Sequence, residues 1–198
     1  MKSMPWVFGA FLLVFASPAL AQSDAPCVLS RVEGTTSHVL REGKSLPAQS
    51  GMGIISSDSL RTGDASRMTL HCTSGVVVTI GPDTWIAVDK VAPQQGEIRL
   101  FDGIAGFVLN WRKPGVFQIR TPSAIAAVRS TEWAMQVKSG ATSVFVRDGS
   151  VDVTARKGGA SLGPGDGIDV SDQSVAEPVK RWGQARIDLC NELLGHYW

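Results

Sequence analysis

Gly75-Val76-Val77-Val78-Thr79-Ile80-Gly81-Pro82-Asp83-Thr84-Trp85-Ile86-Ala87-Val88 decides the fold class. In an extended chain successive side chains point to opposite faces, so Val76, Val78 and Ile80 share one face. Gly81 and Pro82 interrupt the run, and a second β-rich run opens at Trp85. The pattern extends both ways from here. Met68-Thr69-Leu70-His71-Cys72 alternates upstream, and Ile98-Arg99-Leu100-Phe101 does so downstream. Further on, Val144-Phe145-Val146 and Val151-Asp152-Val153 flank Asp148-Gly149, which reads as a hairpin. Polar residues alternate outward, as in sheets with one wet face.

Glycine punctuates these runs at short intervals, from Gly34, Gly43 and Gly53 to Asp102-Gly103, Gly140 and Asp166-Gly167. Asp-Gly supplies the positive φ angles of tight turns. The expected class is therefore all-β: a short-stranded solenoid-like or sandwich domain. The stretches 53–63 and 160–168 share an apolar, polar, Gly/Asp, apolar rhythm that suits stacked turns of a β-coil.

The tail has another period. Val179, Trp182, Ala185, Leu189 and Leu193 recur at three- and four-residue steps behind Pro178. This predicts an amphipathic helix over Val179–Leu194, preceded by a polar linker, Ser171–Glu177. The N-terminus carries Lys2, an apolar run Trp6–Ala16, and small residues at Ala19 and Ala21. That is a secretory signal pattern, and the run is too short for a bilayer, which needs roughly 20 residues. The expected divisions are a signal peptide at 1–21, a β domain at 22–170, and a linker with helix at 171–198. Residence in the periplasm or outside the cell follows.

Without Lys2, the 19 basic residues become 18, facing 18 acidic ones. A balanced surface offers no field for nucleic acid or an anionic membrane. The cysteines are Cys27, Cys72 and Cys190. Cys72 keeps phase with Met68 and Leu70 and so reads as a buried strand residue. That leaves Cys27 with Cys190 as the expected bridge between the two ends, although sequence alone does not fix connectivity.

Reactive constellations are not evident. His38, His71 and His196 lack ligand partners at short spacing, and there is no CxxC, HExxH or GxSxG. His71 and Cys72 are adjacent on a strand and point apart. No metal, cofactor or catalytic residue is expected, and the chain does not read as an enzyme.

Five stretches together resemble the FecR family. They are Leu60-Arg61-Thr62-Gly63-Asp64, the run Gly75–Thr84, the run Arg120-Thr121-Pro122 to Glu132-Trp133, the run Val144–Val153, and Gly163-Pro164-Gly165-Asp166. Ser130 stands where that family usually has Gly, and Trp133 where it usually has Phe. FecR proteins are known as regulators with a cytoplasmic anti-sigma segment, one membrane span and a periplasmic sensing domain. The present chain resembles the sensing module, so the sigma-factor role is not carried over. The resemblance implies a non-catalytic extracytoplasmic module that senses a signal or binds another protein. Its candidate contact residues are Arg120, Arg129, Glu132, Trp133 and Trp111, arginine and tryptophan being common interface anchors. A competing reading places Trp133 in the core, with Ile125 and Val128, and pairs Arg129 with Glu132. The alternative function is binding of a cell-envelope glycan or small ligand through Trp85 or Trp111.

Overall fold

The computed structural model describes residues 25–92, 95–110 and 115–195. Among these lie fifteen strands and one helix. The first strands are β1 (Cys27–Glu33), β2 (His38–Arg41), β3 (Lys44–Pro47), β4 (Gly53–Ile54) and β5 (Ser59–Arg61). Next come β6 (Arg67–Cys72), β7 (Val76–Ile80), β8 (Trp85–Ala92), β9 (Gln95–Leu109) and β10 (Val116–Arg120). The last are β11 (Ala124–Lys138), β12 (Ala141–Ala155), β13 (Gly159–Leu162), β14 (Asp166–Val170) and β15 (Lys180–Arg181), before the helix α1 (Gln184–Leu194). The molecule is all-β with one short C-terminal helix, as the alternation predicts.

The strands form one hydrogen-bonded ladder folded into two layers. Three 15-residue strands, β9, β11 and β12, belong to both. In the first layer the early part of β9 pairs with β8 and, in parallel, with β10. That layer continues through the start of β11 to the end of β12 and then β13. On its other side β8 leads to β5, β2 and β3. In the second layer the late part of β9 pairs with β7 and with the late part of β11. β7 leads to β6, β1 and β4, and the early part of β12 leads to β14 and β15. The parallel β9–β10 pair requires the chain to coil back after β9, which gives a sandwich with one solenoid-like turn.

Glycine makes the corners. Gly103 has φ of 89° where β9 passes between layers, and Gly149 has φ of 83° where β12 does. The β11–β12 register shifts between Arg129 and Trp133, at the same level. Asp148-Gly149 is therefore a bend within one strand, not the predicted hairpin turn. Positive φ serves a β-bulge as well as a turn, and the dipeptide alone does not say which.

Inward side chains from both layers form one core. Val39, Leu60, Ile86, Leu100 and Phe117 come from the first layer, and Leu29, Met68, Val78, Phe107 and Trp133 from the second. Trp133 stacks on Phe107 at 4.9 Å and meets Phe117 edge-on at 6.1 Å, joining the layers.

Two expectations are corrected here. Cys27 bonds Cys72, and Cys190 is a free buried thiol. Cys27 and Cys72 are register partners in the β1–β6 pair, 45 residues apart in sequence. The helix begins at Gln184 instead of Val179, because Lys180 and Arg181 pair with Gly167 and Asp166. Trp182 leaves the helical stripe and lies flat on Phe145, with ring centroids 5.0 Å apart. Cys190 and Leu194 form the buried stripe of α1, against Ile104, Ala134 and Phe145 on the outer side of the second layer. Leu189 stays half exposed.

Candidate functional site

The outer face of the first layer concentrates aromatic and guanidinium groups. Alternation dictates which residues reach it: Ile86, Ile98, Leu100 and Leu60 turn inward, so Trp85, Arg99, Phe101 and Arg61 turn outward. β8 lies between β5 and β9, which sets Arg61, Trp85 and Phe101 in one row. The Trp85 and Phe101 rings stack at 4.2 Å, and the Arg61 guanidinium lies 4.0 Å from the Trp85 ring centre. Arg99 covers the Phe101 ring at 5.3 Å. Each cation over a ring contributes about 0.5–1 kcal/mol at such exposed sites.

Hydrogen bonds fix the row. Trp85 donates Nε1–H to Ser59 Oγ at 2.6 Å. Arg99 donates from Nε and Nη2 to the two carboxylate oxygens of Asp89, both at 2.6 Å. That fork raises the Arg99 pKa above its ordinary value. Next to Arg99, across the parallel pair, sits Arg120, which donates to Glu97. Like charges on neighbouring strands are each neutralised by their own carboxylate, so they tolerate proximity.

The residues singled out from sequence do not converge. Arg120 stands on this outer face, half exposed. Glu132 lies at the corner of β11 and accepts a bond from Arg147 Nη1 at 2.7 Å. Arg147 also donates to Asn191 Oδ1 at 2.5 Å, so this pair secures the helix. Trp133 is 0% exposed and belongs to the core, out of reach of any partner. Arg129 pairs through its backbone with Ser150, while its side chain and the whole of Trp111 lie outside the described residues. Sequence reading missed Arg61, Arg99 and Phe101. Their outward parity was visible, but their assembly depends on β5, β8 and β9 being neighbours. Among the described residues no cluster of His, Cys, Asp and Glu could hold a metal ion. No described helix is long and apolar enough to cross a membrane.

The outer face of the first layer thus presents two stacked rings and two guanidiniums, one of them paired with Asp89. Residues 58–152, which span β5 to most of β12, match the FecR protein family profile. The likeness to the FecR family is one of this segment. Two crystal structures described as a "putative anti-sigma factor" from Parabacteroides distasonis ATCC 8503 share the fold, at 2.50 and 1.65 Å resolution. Each superposes with a TM-score of 0.58 at 17% identity, covering 66% of this chain and 62% of that one. The match thus spans less than two thirds of those chains. None of the curated proteins matches.

Proposed function

We propose that this chain is a non-catalytic, extracytoplasmic signal-sensing or protein-interaction module of the FecR type. It reaches the periplasm by a cleavable signal peptide at 1–21. The FecR match is the observation that carries the reading, because the matched strands build the Arg61–Trp85–Phe101–Arg99 row. Trp and Arg held in one conformation lose little entropy on docking, which makes such rows good anchors. Arg120 extends the same face. The disulfide suits an oxidising compartment.

A photo-cross-linking residue placed at position 61 or 99 of the exported protein, in living cells, tests this. The reading expects a discrete protein adduct from those positions and none from position 71, on the outer face of the other layer. Equal adducts from all three positions, or turnover of a substrate by the purified protein, would remove it. Mature protein beginning at Gln22 by mass spectrometry is the expected sign of export.

The second reading, a glycan or small-ligand binder, has the exposure of Trp85 in its favour. The stack weighs against it. Arg61 and Phe101 lie on opposite sides of the indole, so neither ring face is free for a sugar.

A further inference from the structure

The outer side of the second layer is only partly covered by α1. Beyond the helix runs a groove of about 560 Å3, between α1 and the strands β1, β6 and β7. This is large enough for a small ligand. Its floor is a cross-strand pair of hydroxyls, Thr69 and Thr79. Thr79 is 3% exposed, and its Oγ1 has no hydrogen-bond partner among the described residues. Burying a hydroxyl without a partner costs about 1–3 kcal/mol, so such groups are usually engaged by something.

The walls differ in sign. The strand side carries Arg31 and Arg67. The helix side carries Asp188 and Glu192, one turn apart on one face of α1. Arg67 donates from Nε to the Leu193 carbonyl at 2.7 Å and from Nη2 to the Glu192 carbonyl at 2.8 Å. These bonds close the end of the helix and set the width of the groove. Glu33 pairs with Arg31 at 3.2 Å and moderates that wall without cancelling Arg67.

We infer that this groove binds a small zwitterion, an α-amino acid or a short peptide with free ends. The carboxylate lies toward Arg31 and Arg67 and the ammonium toward Asp188 and Glu192, above the Thr69–Thr79 floor. The groove is on the opposite side of the molecule from the aromatic row, so the two sites stand or fall separately.

Calorimetry on the full mature protein tests it, with glycine, lysine and glycylglycine as probes. The same probes N-acetylated or C-amidated serve as controls. At least one free probe binds with a dissociation constant in the millimolar range or below, and both blocks abolish binding. Arg31→Gln, at an exposed side chain of the strand wall, raises that constant tenfold or more while leaving the unliganded melting temperature unchanged. Glu192→Gln, on the exposed side of the helix, weakens binding to a similar extent. The ratio of glycylglycine to glycine affinity separates a peptide from a free amino acid. No heat from any probe at 10 mM (roughly the weak limit of specific recognition), or binding that survives either block or either substitution, overturns the inference.

Discussion

Cys27 and Cys72 face each other in the β1–β6 ladder, and their bond closes a loop whose ends are 45 residues apart. Loops of that length contribute about 2–4 kcal/mol by restricting the unfolded chain. Cys72→Ser should lower unfolding free energy by that amount in urea melts, and reductant should then have no further effect. Denatured, unreduced protein should accept one alkylating group, at Cys190; two unmodified cysteines released only by reduction would be seen in the mass spectrum as residues 27 and 72. The phase of Cys72 with Met68 and Leu70 was legible in sequence, and it led to the wrong pairing. Phase fixes which face a residue takes, but the partner depends on which strand lies alongside, and β1 is brought to β6 by the tertiary fold. Trp133 shows the complementary case. Its apolar neighbours announced the core, and its stack on Phe107 makes Trp133→Ala a loss of about 3–5 kcal/mol in the same melts.

The long strands and the helix carry the next set of constraints. Gly103 bends β9 at positive φ, and a Cβ there would lie 2.5 Å from Thr84 Cα and 2.7 Å from the Asp83 carbonyl. Gly103→Ala should cost about 1–2 kcal/mol for the left-handed backbone and about 1–3 more for crowding. Gly43→Ala, at similar φ with nothing within 4 Å of its Cβ, should show only the first part. Chemical melts of both variants separate the two contributions. Strand positions were legible from alternation, whereas strand lengths were not. A bulge glycine and a turn glycine have the same local chemistry, and only pairing across the whole of β12 distinguishes them. The helix start was misread because Val179 and Trp182 fit a helical period, whereas Lys180 and Arg181 between them pair with β14 and Trp182 stacks on Phe145.

Docking of α1 depends on charge as well as apolar contact. Arg186 donates to both oxygens of Asp169, at 2.9 and 2.5 Å, and lies 3.7 Å from the Trp182 ring centre. The guanidinium bond, followed by a bond from Ser143, holds the Asp169 carboxyl below its ordinary pKa of 3.8 despite partial burial. The native state thus binds the Asp169 proton less tightly than the unfolded chain does. Its contribution to stability is complete above pH 3.8 and disappears as pH falls below that value through the folded pKa. Asp169→Asn should therefore be less stable than the parent at pH 6 and converge with it toward pH 2. Amide exchange of residues 184–194 across that range reads the effect. Parallel curves would assign helix docking to the apolar stripe alone. Burial raises the Cys190 thiol pKa, so alkylation at neutral pH should require the helix to lift. Asn191→Ala removes the bond from Arg147 and should speed that alkylation about 2–10-fold, the equivalent of about 0.5–1.5 kcal/mol.

At the scale of the molecule, one chain builds two outer faces of different chemistry on a shared core. The first presents the aromatic and arginine row, and the second is half covered by α1. Three strands run through both layers, so the faces cannot separate without unfolding the core, and a partner docked on one meets a rigid surface. Rigidity favours affinity, because little ordering remains to be done on contact. Trp85→Ala removes the middle of the row and frees Arg61 and Phe101, yet empties no cavity, since Trp85 is 36% exposed. Stability should fall by no more than about 1–2 kcal/mol, within the range of ordinary substitutions. Partner affinity, measured with whatever protein position 61 cross-links, should fall by about 2 kcal/mol or more, roughly 30-fold, as at a hot spot. Peptidoglycan fragments separate the two functional readings with a second variant at that position. If proteins are the ligand, the emission difference between parent and Trp85→Phe stays constant as fragments are added. A saturable change in that difference would mean that Arg61 swings away from the indole to admit a sugar, and the glycan reading would replace the protein one.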